Sequence, residues 1–427
     1  MSQLTAEQWR SNLDTIAHNP AMSEDNVRLR PGALDAPSTT LVAVGIVGLA
    51  VTIAGGFVFN LKHALAAYEV GVVSVTAISL GAMFWIMIMH LVNSGWTGTV
   101  RRQFENIMMM LPVCIAMLAV IVVIEFVKGG VLLTWLGIDP ATDPLLEKKT
   151  WFLNPTFWIV RFVIYATVWM VLASTLWRNS TLQDETGDRF LSNKSRFTSA
   201  WGMMAFALTL AFFAFDFLMA MDYRFFSTMW GVYYFANAAL AAIAGTILVL
   251  CILRSMGRLT GLVTTEHTHD MGKLLFGFTV FWAYIAFSQY FLIWYSNIPE
   301  ETAWYVNRQT GGWENLGGLI ILGHFILPFL VLLLRDVKRS MVGVALVSVW
   351  ILAFIVLDFV YAIRPMVYVR DMADANPGPA GWWLDLAGVV GVMGIWWGLL
   401  LRRVGRGPLV AVHDPRLMEA LTHKNDV

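Results

Sequence analysis

Long apolar runs separated by polar connections dominate the chain. They fall at residues 38–60, 66–92, 104–128, 156–177, 197–221, 228–254, 272–296, 316–335, 340–363 and 381–402. Each holds about twenty residues or more, enough for a helix rising about 1.5 Å per residue to cross a hydrocarbon core about 30 Å thick. None alternates apolar and polar positions as a half-buried strand does. The pattern predicts an all-α integral membrane protein with ten transmembrane helices. The third run is the least regular, because Glu105 and Pro112 interrupt its start. Residues 1–37 are polar, contain Pro20, Pro31 and Pro37, and read as an arm outside the membrane. Longer connections are expected at 129–155, 179–195 and 297–315.

Two of the runs share a pattern. Residues 210–220 read LAFFAFDFLMA and residues 352–362 read LAFIVLDFVYA, so L-A-F-x-x-x-D-F-x-x-A recurs with Asp216 and Asp358 in register. An internal duplication accounts for this, and a parallel repeat needs an even number of crossings per unit. Two four-helix bundles follow, helices 2–5 within residues 61–222 and helices 6–9 within 223–365. Helix 1 (38–60) and helix 10, with its outer loop (366–402), flank them. The arm (1–37) and a tail (403–427) complete the chain.

Composition sharpens this picture. Hydrophobic residues make up 58% and charged residues 14%, where a soluble domain is nearer a quarter charged. A net charge of zero lacks the basic footprint of a nucleic-acid binder. Cys114 and Cys251 each stand alone in an apolar run, which excludes a CxxC pair, a c-type haem attachment and an iron–sulfur ligand set. The first residues lack the layout of a signal peptide, so the first spanning helix is expected to drive insertion. Twenty Lys and Arg fall on the side of the arm, the even-numbered connections and the tail. Eight, including Arg308, Arg364 and Arg370, fall on the other, and Arg161 is left inside a span, away from its ends. The positive-inside rule then places both termini in the cytoplasm.

Charged groups inside spans are the candidates for chemistry, since a carboxylate there costs roughly 2.5–3.5 kcal/mol on insertion scales. Asp216 and Asp358 lie in the outer third of their helices, as do Glu125, Arg161 and Glu69. Arg161 needs a counter-charge, and Glu125 or Asp216 can supply it. His324 lies about 12 Å in from the outer end of helix 8. His90 and Glu105 lie near the cytoplasmic ends of helices 2 and 3. That separation in depth prevents the two histidines from meeting at one haem iron. His324 then reads as a proton carrier or a hydrogen-bonding core histidine, and His90 as an interfacial residue. Glu69 and Glu105 are near enough to water to be solvated. Tyr233, Tyr234, Asn237, Ser288, Gln289 and Tyr290 give the outer half of the second bundle a polar lining. Gly388, Gly391 and Gly394 on helix 10, with Gly45 and Gly48 on helix 1, suit close helix packing. A carboxylate beside a guanidinium tends to stay ionised, whereas one among neutral donors exchanges its proton more easily. Asp358, His324, Tyr233 and Gln289 are therefore expected on a proton route, for which Asp216 and Glu125 are also candidates. Arg161, Glu69, Glu125 and Asp216 are expected to form a structural or quinone-bordering cluster. No catalytic residue and no metal site are expected.

HLVNSGWTGTVRRQFENI (90–107), FDFLMAMDYRFFSTMWGVYYFA (215–236) and FSQYFLIWYSNIPEETAWY (287–305) resemble the NrfD and polysulfide-reductase family of membrane subunits. Within it, they are most similar to the shorter, ActF-type subunit of alternative complex III. The resemblance implies a cofactor-free subunit of a quinol:cytochrome c (or similar acceptor) oxidoreductase in a bacterial cytoplasmic membrane. Implied partners are a second NrfD-like subunit and multihaem cytochrome c and iron–sulfur subunits that hold the haem and iron–sulfur centres on the outer side, with quinone or quinol nearby. The outer loop 297–315, acidic and Trp-rich, would dock a partner or form an interfacial belt. Family members with a quinol site hold it in the outer part of the first bundle, but Arg161 stands here where a histidine would help take the quinol's proton. A stand-alone secondary transporter is the alternative from the repeat and the buried acids, although no Gly/Pro break is expected beside them. A purely structural anchor is the third reading.

Overall fold

The computed structural model describes residues 5–367, 379–414 and 416–425. The connection at 368–378, with Arg370, lies outside the described residues. Among them are ten helices long and apolar enough to cross a membrane and no strand. They are α1 Asp35–Val58, α2 Leu61–Leu91, α3 Arg101–Lys128, α4 Pro155–Thr186, α5 Phe190–Met221, α6 Trp230–Ser255, α7 Thr265–Ser296, α8 Trp313–Leu333, α9 Met341–Val367 and α10 Trp382–Val404. The chain is a multi-pass membrane protein of all-α class.

Local chemistry accounts for the boundaries. The Asn60 side chain accepts from the amides of Lys62 and His63 at the start of α2, and Asn154 accepts from Phe157 at the start of α4, where Pro155 follows. Within α3 the helix breaks after Met108 and resumes at Leu111, so that Pro112 sits in the first turn of a new segment. Residues 179–195, expected as a polar loop, are helical on both sides of a tight turn at Gly187, whose φ of 65° ends α4. Polarity there reflects helices that outrun the hydrocarbon. At 32 residues, α4 is about 48 Å long, well beyond the membrane core. One span, α8, is not α-helical throughout. Ile321–Ile326, with Gly323 and His324, is π-helical between two α-helical segments. Gly323 is required there, because the Phe354 ring occupies the place of a Cβ.

Packing closes two rings of neighbours, α2–α3–α4–α5 and α6–α7–α8–α9, with α6 also against α2 and α5. The joint between the rings is intimate. A Cβ on Gly81 of α2 would collide with the Ala238 carbonyl of α6, Trp85 Nε1 donates to the Ala239 carbonyl at 3.0 Å, and the Tyr234 hydroxyl donates to the Val73 carbonyl at 2.9 Å. Tyr234 thus faces the first bundle instead of lining the second. Outside the rings, α10 lies along α1, and a methyl on Gly48 would sit 2.7 Å from the Gly391 amide nitrogen. The glycine stripes serve close approach, as their spacing suggests.

The arm is folded. A helix at Ala6–Ala17, capped reciprocally by Thr5 and Gln8, buries Ile16 against Leu417 and Ala420 of the tail. The Leu409 amide donates to the Val27 carbonyl at 2.8 Å. Both termini therefore share one face of the molecule.

Candidate functional site

Asp358 lies near the C-terminal end of α9, buried to 2% exposure. Its Oδ1 accepts the Tyr233 hydroxyl in a short hydrogen bond, and its Oδ2 accepts Asn237 Nδ2 at 2.9 Å and Trp282 Nε1 at 3.2 Å. Tyr233 and Asn237 are four apart on α6 and share one face, so α6 and α7 together supply three neutral donors. No cation bonds to this carboxylate among the described residues. It opens instead into a cavity of about 630 Å³ rich in aromatic rings, among them Trp230, Tyr290, Tyr305 and Tyr361, with Glu314 also in its lining. Gln289 is in the wall, and its Oε1 has no hydrogen-bond partner among the described residues.

The same wall carries Arg308, a residue that sequence reasoning counted only for topology. Its guanidinium lies 3.3 Å from the Trp304 ring centroid, and its nitrogens donate to the carbonyls of Trp304, Tyr361 and Ala362. No carboxylate pairs with it among the described residues. Burial lowers its pKa to about 10, so it remains a cation at neutral pH. An aromatic box with a buried cation, an orphaned amide and a carboxylate on its floor suits a ligand with a flat ring and polar edges, or a chain of waters.

His324 is fully buried, and its ring stacks on Trp282 with centroids 3.8 Å apart. Neither ring nitrogen has a hydrogen-bond partner among the described residues. The hydrogen-bonding core histidine is therefore absent, and Trp282 stands between His324 and Asp358. The imidazole does not line the cavity.

Asp216, the repeat partner, is held differently. Arg161 binds it in fork geometry, Nε to Oδ2 at 2.8 Å and Nη2 to Oδ1 at 2.7 Å, and the Tyr165 hydroxyl donates to Oδ2 at 2.6 Å. The third guanidinium nitrogen donates to the Phe152 carbonyl, and the rings of Phe152 and Phe157 cover the cation. Arg161 and Tyr165 border a shallow apolar groove that Asp216 does not reach.

The expected four-membered cluster is not one site. Glu125 does not neutralise Arg161. Its carboxylate accepts the amides of Val131, Leu132 and Leu133 at 2.8, 2.8 and 3.2 Å, organising the turn that follows Gly129. A carboxylate one turn from a helix end meets the free amides of a returning loop more readily than a guanidinium one helix away. Glu69 is buried at 2% exposure, within electrostatic range of Glu125, and its Oε2 lacks a partner among the described residues. Its expected solvation fails.

Glu105 is likewise dry. It accepts from Arg101 Nε at 3.0 Å and from the Ser180 hydroxyl at 2.9 Å, with Arg102 Nη1 at 2.9 Å. Arg101 goes on to Asp414 and Arg102 to Asp184, while Arg416 grips Asp414 at 3.0 Å and approaches His90 Nδ1 at 3.3 Å. Burial alone would raise the Asp414 carboxyl, but Arg101 and Arg416 hold it well below the usual carboxylate range. His90 and Glu105 thus belong to an ionic staple that ties the tail under α2 and α3. Asp385 at the start of α10 makes a similar tie on the opposite face, 2.5 Å from Arg364 and 3.3 Å from His63. In the sequence the spacing of Arg101, Arg102 and Glu105 marks them as helix pairs, whereas their ties to Asp414 and Asp184, and that of Arg364 to Asp385, join distant charges that no local signal links. Comparisons with protein-family models and with curated proteins return no match.

Proposed function

We propose that the chain is a cofactor-free, NrfD-type subunit of a quinol:acceptor oxidoreductase, of the kind found in alternative complex III, and that it carries a proton through its second bundle by way of Asp358. The observation behind this is the difference between the repeat aspartates. One is locked by a guanidinium, while the other is bonded by neutral groups alone and opens into a cavity. A carboxylate without a bonded cation can gain and lose a proton without breaking an ion pair. The partners proposed from the resemblance are a second NrfD-like subunit with multihaem cytochrome c and iron–sulfur subunits. In this reading the staple face is cytoplasmic and the Asp358 cavity opens outward, in a bacterial cytoplasmic membrane. An impermeant thiol reagent should then label Gly311→Cys in intact cells.

The deciding experiment purifies the complex with Asp358→Asn, reconstitutes it and measures protons moved per electron. The reading expects full subunit content and reduced coupling; unchanged coupling defeats it. A second reading, a stand-alone transporter, draws support from the π-helical segment at Ile321–Ile326 beside the cavity, because non-α turns frequently mark functional sites. Gentle solubilisation separates the two. A chain that comes away alone, without haem-bearing partners, favours transport.

A further inference from the structure

The face that carries both termini holds a second cavity, of about 540 Å³, enclosed by the arm, α3, α4 and α10. Five guanidiniums line it, those of Arg28, Arg102, Arg402, Arg403 and Arg406, against the carboxylates of Asp184 and Glu185. Asp184 is already committed to Arg102. Among the described residues, none of the other four arginines has a carboxylate partner. Every arginine of the neighbouring staple has one. Arg403 lies 4.3 Å over the Trp177 ring, and its buried Nε has no hydrogen-bond partner. Arg28, Arg402 and Arg406 also line an adjoining cavity of about 330 Å³, where Asp35 is the one carboxylate, so three cations serve two neighbouring spaces. Unpaired like charges gathered round a cavity repel one another unless an anion joins them.

Depth narrows the class of anion. Trp177 precedes Asp184 on α4, and Leu399 precedes Arg402 on α10, so the inner end of the cavity holds an indole, capped by the guanidiniums of Arg102 and Arg403, and a leucine, while the exposed Arg28, Arg402 and Arg406 form its mouth. Nearby on α4, Val171 and Leu182 are exposed and offer an apolar surface to acyl chains. A cluster of guanidiniums beside exposed apolar helix surface at one end of the spans matches the boundary between phosphate and acyl chain in a phospholipid. We infer that this is a phosphate-binding site for the headgroup of an anionic phospholipid, and that its paired cavities suit a lipid with two phosphates.

The test uses the full chain in nanodiscs of phosphatidylcholine, alone or with added phosphatidylglycerol or cardiolipin, and reads the melting temperature. Cardiolipin should raise it by several degrees and phosphatidylglycerol by less. Arg28→Gln/Arg402→Gln/Arg406→Gln should lose most of the rise, and the single, exposed Arg406→Gln should lose part of it should the triple variant not fold. Arg178→Gln/Lys194→Gln, outside both cavities, should keep the rise in full. Equal melting temperatures in all three lipid compositions, or an undiminished rise in the arginine variants, would overturn the assignment. A separate arm adds pyrophosphate to phosphatidylcholine discs. A rise equal to that with cardiolipin would assign the site to a soluble anion and defeat the lipid source.

Discussion

Asp216 and Asp358 occupy the same register of the same motif, yet their surroundings are opposites. At Asp216 one helix, α4, supplies both the cation and the hydroxyl, since Arg161 and Tyr165 lie four residues apart on one face. The charge is fully answered and the side chain is sealed. At Asp358 the donors are neutral, come from two helices, and leave the carboxylate facing a cavity. The acid of the recurring motif is held as an ion pair in one ring of helices and as an acceptor of neutral hydrogen bonds in the other. The lesson is that a buried carboxylate takes its properties from the facing helices more than from its own.

The largest effect expected from this contrast is on stability. Asp216→Asn strands a buried guanidinium and should cost about 3–5 kcal/mol. Removing both charges with the Arg161→Met/Asp216→Leu pair should recover most of that loss. Thermal unfolding in detergent measures both, and a double variant no better than the single would mean that the pair is not what stabilises this bundle.

Asp358→Asn keeps a hydrogen-bonding side chain among neutral partners and should cost only about 1–2 kcal/mol. A loss as great as at Asp216 would erase the comparison. Tyrosine deletions sharpen it further. Tyr233→Phe removes one of three neutral donors and should cost about 1.5–3 kcal/mol, whereas Tyr165→Phe leaves the Arg161 fork in place and should cost about 1 kcal/mol. Both are read in the same melting assay, and a reversed order would assign the greater dependence on hydroxyl donation to the wrong bundle.

The smallest effect concerns pH, and it is read at Asp414, in the tail outside the spans, as a reference for both sites. Asp414 has a depressed folded-state pKa, so the stability it contributes is complete above the unfolded value of about 3.9 and is lost only as pH falls below it towards the folded value. The stability deficit of Asp414→Asn should therefore stay constant from neutral pH down to about pH 4 and shrink only below it. A deficit that fades between pH 7 and 5 would show that Arg101 and Arg416 do not hold the carboxyl down.

Much is legible in the order of the amino acids alone. Span length is a local, additive property of about twenty consecutive residues, so the ten helices and the all-α class followed from the apolar runs. The recurring motif marked Asp216 and Asp358 as a pair, and glycine spacing marked the seam between α1 and α10. Polar composition misled at 179–195, because a helix that leaves the membrane becomes polar without ending.

Partnership was the part that only the tertiary structure decided. Arg161 reaches Asp216 across 55 residues, Tyr233 reaches Asp358 across 125, and Arg101 reaches Asp414 across more than 300. Whether two such groups meet depends on the rotation of each helix about its axis and on which helices are neighbours. A turn of about 100° per residue means that a shift of one position moves a side chain from a cavity to the lipid. Depth, which chain order supplies, placed Glu125, Arg161, Glu69 and Asp216 in one layer. Azimuth, which packing supplies, separated them into an ion pair, a loop anchor and a buried acid, and brought Arg308, never a candidate in the chain, to the wall beside Asp358.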